Sequence, residues 1–354
     1  MKSDATPLLS EPANDAGTAA RTLVLPAPYL VFLGDARSRG DLKTALGLRD
    51  WAPGNCLGQY RMDDQVPDIG LPDMSFEEAR RSGAKSLLIG LATDGGRIPE
   101  SWWPSLKAAA DAGLNIVSGM HDKLGSVPGL LERAGAQGCK LIDIRHWQPP
   151  LAVATGRRRP GKRLLTVGTD CAIGKKYTAL AITRAMKARG MAATFRATGQ
   201  TGIMLAGSGV PIDSIVSDFV SGAAEGLSPA NAPDHWDIIE GQGTLGHPAY
   251  AAVSLGLLHG SQPDRIVLCH EPGRKTLDGF PGYPVPSLPE TIDLNVRMAR
   301  LTNPQVSCAG ISLNTFGMSP VDRRELFDRI SDEHGVPCFD PMISSLDAFV
   351  DFLL

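Results

Sequence analysis

No apolar run in this chain approaches the roughly 20 residues that a helix needs to cross a bilayer. The longest candidates, such as Ala251 to Leu258, are broken within two turns. The first 20 residues carry acidic side chains and lack the basic-then-apolar pattern of a secretory signal, so they read as a mobile tail. No pair among the six cysteines (Cys56, Cys139, Cys171, Cys269, Cys308, Cys338) is spaced as Cys-x-x-Cys. That scatter argues against a disulfide frame or a zinc site and for reduced thiols in the cytoplasm. Charge of one sign is not in excess either: 35 Lys and Arg face 38 Asp and Glu, a formal net charge of −3. Nothing there makes an electrostatic case for a nucleic-acid surface. There is no internal repeat, and no clean G-x-G-x-x-G to support a nicotinamide site.

What remains is a chain of 354 residues with 43% hydrophobic content, enough for two domains or one large α/β unit. Short apolar strand-like runs alternate with helical patterns throughout. This predicts an α/β fold with mainly parallel sheets. In the first half the strand candidates are Tyr29 to Leu33, Ser86 to Gly90, Asn115 to Gly119 and Lys140 to Arg145. Later candidates begin at Leu164, Ala193, Trp236, Arg265, Val306 and Val336. Helices are expected over Lys175 to Arg189, Ile212 to Glu225, Pro248 to Leu258, Pro289 to Leu301, Pro320 to Glu333 and Ser344 to Leu354. Ser319 suits an N-cap and Pro320 the first helical position. The stretch from Gln148 to Arg163 is rich in Pro, Gly and Arg, as a linker is. The expected division is a tail over 1–20, a first domain over 21–150, a linker over 151–162 and a second domain over 163–354.

The segment from Arg163 to Thr183 is the most informative. A buried strand (Leu164 to Val167) meets a glycine-bounded loop (Gly168 to Gly174), and Lys175 opens an amphipathic helix. This is the layout of a phosphate-binding loop. Helix N-termini carry unpaired N–H groups, glycines let backbone wrap an anion, and a lysine adds a point charge. Gly168, Thr169, Asp170, Gly174, Lys175 and Lys176 are therefore candidate cofactor-binding residues, with a nucleotide or coenzyme A as the ligand. Two departures matter. Five residues separate Gly168 from Gly174, one more than the commonest spacing. Lys176 stands where a nucleotide hydrolase places Ser or Thr on Mg²⁺. Thr178 lies two positions further on, and Asp170 could supply a metal oxygen instead. A thiol at Cys171, beside a helix N-terminus, would have a lowered pKa.

Three further clusters follow apolar strands, at the ends where ligands bind in open α/β sheets. Trp236 to Ile239 runs into Glu240-Gly241-Gln242-Gly243-Thr244, with His247 shortly after. Glu240 could act as a base or hold a metal, and Gln242 could bind substrate. Cys269-His270-Glu271-Pro272-Gly273-Arg274-Lys275 offers His270 as a general base near neutral pH. Arg274 and Lys275 are the cations available to a substrate carboxylate. Ala197 to Ile203 reads as a ligand loop, with Gln200 as a candidate oxyanion donor. Beyond it, Asp213 and Asp218 are expected on one helix, Asp218 beside its apolar face. Gly34-Asp35 should close the first clear strand, with Lys43 and Thr44 on the next helix. The stretch Gly54 to Arg61 reads as loop, with Gln59 and Arg61 exposed and structural.

Taken together, these strings resemble the DgcN-like family, long described as a domain of unknown function in bacteria and archaea. The resemblance runs through GTDCAIGKKYTAL, ATGQTGIMLAGSG, DFVSGAAE, EGQGTLGHPAY and LLHGSQPDRIVLCHEPGR. In the first half it runs through Gly34-Asp35, Lys43-Thr44, Trp51 and Gly58-Gln59. It implies a Rossmann-like N-terminal domain joined to a P-loop NTPase-like C-terminal domain. It also implies transfer of an acetyl group from acetyl-coenzyme A to the amine of D-glutamate. The loop and the E-G-x-G strand end are similar as well to dethiobiotin synthetases, which implies ATP with Mg²⁺ in a ligase or kinase. Lys176 in place of a hydroxyl residue favours the acyl-carrier alternative. A third alternative is a nucleotide-binding module without turnover. The expected partner is a small molecule, and homo-oligomerisation is possible for such an α/β enzyme. The D configuration rests on the resemblance alone.

Overall fold

The computed structural model describes residues 22–150 and 152–354, so the expected N-terminal tail lies outside the described residues. The chain divides into two compact units. The first comprises the described residues from Leu23 to Gln148, together with Gln200–Ser214; the second comprises Pro149–Gly199 and Ile215–Leu354.

In the first unit the order is β1 (Leu23–Val24), β2 (Tyr29–Phe32), α1 (Lys43–Trp51), β3 (Cys56–Tyr60), α2 (Phe76–Arg81) and β4 (Ser86–Ile89). It continues with α3 (Trp103–Asp111), β5 (Asn115–Ser118), α4 (Leu130–Ala136) and β6 (Leu141–Asp143). Five strands form a parallel sheet in the order β3-β2-β4-β5-β6. Every residue of β2 and of β4 is buried, as expected of strands covered on both faces. The strand order reverses at β2, whose carboxyl end is where such sheets take ligands. At that end the Asp35 carboxylate accepts from Trp102 Nε1 at 2.8 Å and from Ser101 Oγ at 3.0 Å. The stretch expected as loop around Gln59 is instead the edge strand β3. Gln59 is fully buried there and donates to Asp68 and Asp73.

The second unit begins with β7 (Lys162–Gly168), α5 (Lys175–Ala188) and β8 (Ala193–Arg196). The chain then supplies α6 (Gln200–Ala206) and β9 (Ser208–Gly209) to the first unit, where β9 pairs antiparallel with β1. Back in the second unit come α7 (Val220–Leu227), β10 (Trp236–Ile239), α8 (Ala251–Ser261), β11 (Arg265–His270) and the hairpin β12 (Thr276–Leu277) to β13 (Phe280–Pro284). The last elements are α9 (Leu288–Arg300), β14 (Ser307–Leu313), α10 (Pro320–His334), β15 (Cys338–Phe339) and α11 (Asp347–Leu353). Six parallel strands pair in the order β15-β14-β11-β7-β10-β8. β7 is central, and its neighbours β10 and β11 bring their carboxyl ends beside the loop that follows it.

The helix expected over Ile212 to Glu225 is broken. Two 3-10 turns (Ile212–Ser214 and Ser217–Phe219) precede α7, leaving Asp213 and Asp218 on separate turns and both exposed. Residues Thr155 and Arg159 bond to Glu225 and Ser228 within the second unit. All six cysteines are free thiols. No described helix is long and apolar enough to cross a membrane.

Candidate functional site: an anion loop held by Arg274

The loop between β7 and α5 has the backbone geometry of an anion-binding loop. Gly174 precedes α5 at φ 107°, a conformation that glycine adopts without steric cost, and no side chain caps the helix. The first amides of this 14-residue helix are thus left for a ligand. Lys175 is buried, with Nζ donating to the carbonyl of Asp170 at 2.6 Å. Burial pushes its pKa down, while the sulfurs of Cys269 and Cys171 and the Asp170 carboxylate oppose the shift. An arriving phosphate would supply the missing counter-charge.

Asp170 is fully buried and holds the loop in shape. One carboxylate oxygen accepts from the Cys171 amide at 2.6 Å; the other accepts from Arg274 at 2.7 Å and from the Asp278 amide at 2.9 Å. Burial opposes ionisation, but Arg274 and the two amides outweigh it and hold the carboxyl below its ordinary range. Arg274 also donates to the Cys171 carbonyl at 3.0 Å and to Glu271 at 2.5 Å. Its guanidinium therefore clamps the phosphate loop to the β11 end. Lys275, beside it, is exposed. Cys171 differs from the helix-terminus expectation: burial pushes its thiol above the usual range, and Lys175 only partly offsets this.

Glu240 and its neighbours close another side. Its carboxylate accepts from the amides of Thr198 at 2.9 Å and Gly199 at 3.1 Å. Burial lowers the Lys176 pKa, opposed by the negative charge of Glu240. The lysine that replaces the usual hydroxyl thus feels the carboxylate where a nucleotide hydrolase would have a cation between hydroxyl and acid. Thr178 cannot substitute, because its hydroxyl bonds to Ser312 Oγ at 2.7 Å and to the Gly174 carbonyl at 3.1 Å. Gln242 Nε2 donates to Thr198 Oγ1 at 3.0 Å. His270 Nδ1 pairs with Thr169 Oγ1 at 2.9 Å. Burial lowers the His270 pKa, with Glu271 opposing and Arg274 assisting, so its ring is neutral at physiological pH. Gln200 falls in the first unit, where its side chain packs against Gly119.

Gly241 sets the tightest approach. A Cβ there would stand 1.7 Å from the Thr166 carbonyl oxygen, in the backbone of β7, and 3.1 Å from Lys175 Cδ. Gly241→Ala is expected to destabilise the protein by about 1–3 kcal/mol, the usual cost of overpacking, and to lower kcat/KM by displacing Lys175. Urea unfolding run beside an activity assay measures both; wild-type values in each would show that the strand ends can separate.

Residues 151–350 match the family model described as a domain of unknown function (DUF1611_C) P-loop domain, and residues 58–147 match the DUF1611_N Rossmann-like domain. The chain belongs to the DUF1611 family. A protein of Pseudoalteromonas sp. named D-glutamate N-acetyltransferase is 47% identical over 323 residues, 91% of this chain and 97% of that protein. A protein of the same name from Tritonibacter scottomollicae is 43% identical over 330 residues, 93% of this chain and 99% of that one. The crystal structure of a DUF1611 protein from Anabaena variabilis aligns with a TM-score of 0.77 at 34% identity, covering 92% of this chain and 99% of the other. The Rossmann-like and P-loop assignments to the two halves of this DUF1611 chain follow.

Sequence reasoning did not foresee the Arg274–Asp170 clamp or the contact from the β12–β13 hairpin. The two partners are 104 residues apart, and no local spacing signals such a pair. In the sequence His247 stands out only as a residue shortly after the Glu240 cluster. A carboxylate oxygen of Asp170, the Cys171 sulfur and a ring nitrogen of His247 all lie within 4.8 Å of one another.

Proposed function

We propose that this protein is a D-glutamate N-acetyltransferase that takes its acetyl group from acetyl-coenzyme A. The observation that carries the reading is the near full-length similarity to two proteins of that name. The loop chemistry supports it: a phosphate cradle with Lys175 but with Lys176 in the place of a metal-binding hydroxyl suits a phosphate ester that is held and not hydrolysed.

Gly168, Thr169, Gly174, Lys175 and Lys176 hold the cofactor phosphates, with Asp170 and Arg274 keeping the loop in shape. The substrate amine must shed a proton before it attacks the thioester carbonyl. His270 is the better base of the two candidates. The role requires the tautomer in which Nδ1–H donates to Thr169 Oγ1 across the 2.9 Å contact, which leaves the Nε2 lone pair to take the proton. Glu240 already accepts from the amides of Thr198 and Gly199, which suits it to anchoring the loop after β8. Attack forms a tetrahedral oxyanion, and its collapse expels coenzyme A thiolate. Gln242 and Lys275 are the side chains we assign to the substrate carboxylates. The acid limb of the pH–rate profile is expected below about 6.5, the ordinary histidine value, because burial lowers the His270 pKa.

The ligase or kinase alternative needs Mg²⁺. Acetyl transfer is expected to proceed unchanged in EDTA, and ATP with D-glutamate is expected to yield no ADP. Loss of the reaction in EDTA, restored by Mg²⁺ and accompanied by ADP, would move the assignment to that class.

A further inference from the structure

The turn from Thr244 to His247 holds two buried side chains, each with one polar atom that no described group satisfies. His247 is 1% exposed and Thr244 is 3% exposed, yet neither His247 Nε2 nor Thr244 Oγ1 has a hydrogen-bond partner among the described residues. Leaving one such group unpaired costs on the order of 1–3 kcal/mol, so two on one turn need a reason. The His247 amide donates to the Thr244 carbonyl at 3.2 Å, which makes the two residues ends of a single turn.

The ring's own bonding says what it can do. His247 Nδ1 accepts from the Ala249 amide at 3.1 Å. The proton of the neutral imidazole is therefore on Nε2, and the orphan atom is a donor. This is the reverse of a metal ligand, whose coordinating nitrogen offers a lone pair while the other nitrogen gives its proton away. In this tautomer Nε2 offers a proton and no lone pair toward the Asp170 and Cys171 cluster. The ring cannot turn freely, because it stacks on Tyr250 with centroids 4.5 Å apart and meets the edge of Phe280 at 4.8 Å.

We propose that Thr244 and His247 form a two-donor oxyanion subsite beside the phosphate loop, binding an acceptor oxygen of the ligand through His247 Nε2–H and Thr244 Oγ1–H. This deepens the acetyl-transfer reading and rests on it. Two oxygens of that reaction have the right chemistry: a phosphate oxygen of coenzyme A and a carboxylate oxygen of the amino acid. The nearby Asp170 carboxylate does not forbid an anion, because Arg274 and two backbone amides already engage it. A neutral donor pair also adds no buried charge when the site is empty, unlike a lysine or arginine.

The test is calorimetric titration of the full-length protein with coenzyme A, D-glutamate and inorganic pyrophosphate in turn. Wild type is compared with His247→Phe, which keeps the ring stack, and with the near-isosteric Thr244→Val. Each variant is expected to bind one of the three ligands about 10- to 100-fold more weakly, the range for a lost hydrogen bond to a charged group. Weakening confined to D-glutamate assigns the subsite to a carboxylate. Weakening of coenzyme A or pyrophosphate assigns it to a phosphate. The ¹⁵N signal of His247 Nε2 should also keep its attached proton and shift on saturation with that ligand. Unchanged affinity for all three ligands in both folded variants would overturn the subsite. Failure of wild type to bind either coenzyme A or D-glutamate would instead overturn the acetyl-transfer reading, and the pyrophosphate arm would still decide the subsite.

Discussion

Lys175→Ala is expected to weaken coenzyme A binding by about 10- to 100-fold and to lower kcat/KM by the same factor, with little loss of stability. A lysine–phosphate contact is a charge-assisted hydrogen bond, worth about 1.5–3 kcal/mol when lost. The contact is made in ground state and transition state alike, so the defect should appear in KM and leave kcat nearly unchanged. The folded protein gains little from the ammonium, because it is buried, bonded to one carbonyl, and pushed toward neutrality by its surroundings. Retained thermal stability with lost affinity is therefore the expected signature. Isothermal titration with coenzyme A and a thermal melt measure the pair. Unchanged affinity would mean that the cofactor phosphates bind elsewhere.

Arg274→Ala acts in the opposite sense, on stability first. It leaves the fully buried Asp170 carboxylate without its charged partner and also breaks the bonds to Glu271 and the Cys171 carbonyl. Removing one member of a buried pair costs about 3–5 kcal/mol, and the lower end applies because Arg274 keeps some exposure to water. The pH dependence has a definite sign. In the wild type the Asp170 pKa lies below its unfolded value, so its contribution is present above the unfolded pKa and is lost as pH falls through the folded one. Without Arg274 the burial contribution dominates, the folded pKa rises, and acid unfolding begins at a higher pH. Urea midpoints measured from neutral to acidic pH test this. The double variant Arg274→Ala with Asp170→Asn should cost less than the sum of the two single changes. Strict additivity would mean that the two residues do not act as a pair.

The two predictions also mark what could be read from residue order and what could not. Strands such as β2 and β7 announce themselves as continuous apolar runs, and α5 is expected to within a residue because Gly174 and Lys175 mark its start. The N-cap at Ser319 is present as anticipated, with its hydroxyl accepting from the Asp322 amide at 3.2 Å. β3 escaped because it is an edge strand with a glycine and a buried glutamine in place of an apolar run, held by Gln59 reaching to Asp68 and Asp73. The helix expected after Ile212 failed because its apolar spacing is met by two separate turns and a later helix. At the site, the residues proposed to hold an anion lie in one short motif and are legible in the sequence. Those that shape the motif come from β11 and the hairpin after it, and only the folded chain pairs them. His247 is the sharpest case, since its importance lies in a bond it lacks.

The most direct test is release of free thiol when the purified protein meets acetyl-coenzyme A with D-glutamate, run beside L-glutamate and without added metal. The account predicts thiol release with the D form alone, matched mole for mole by N-acetyl-D-glutamate. No release with either enantiomer, from protein that still binds coenzyme A, would contradict it.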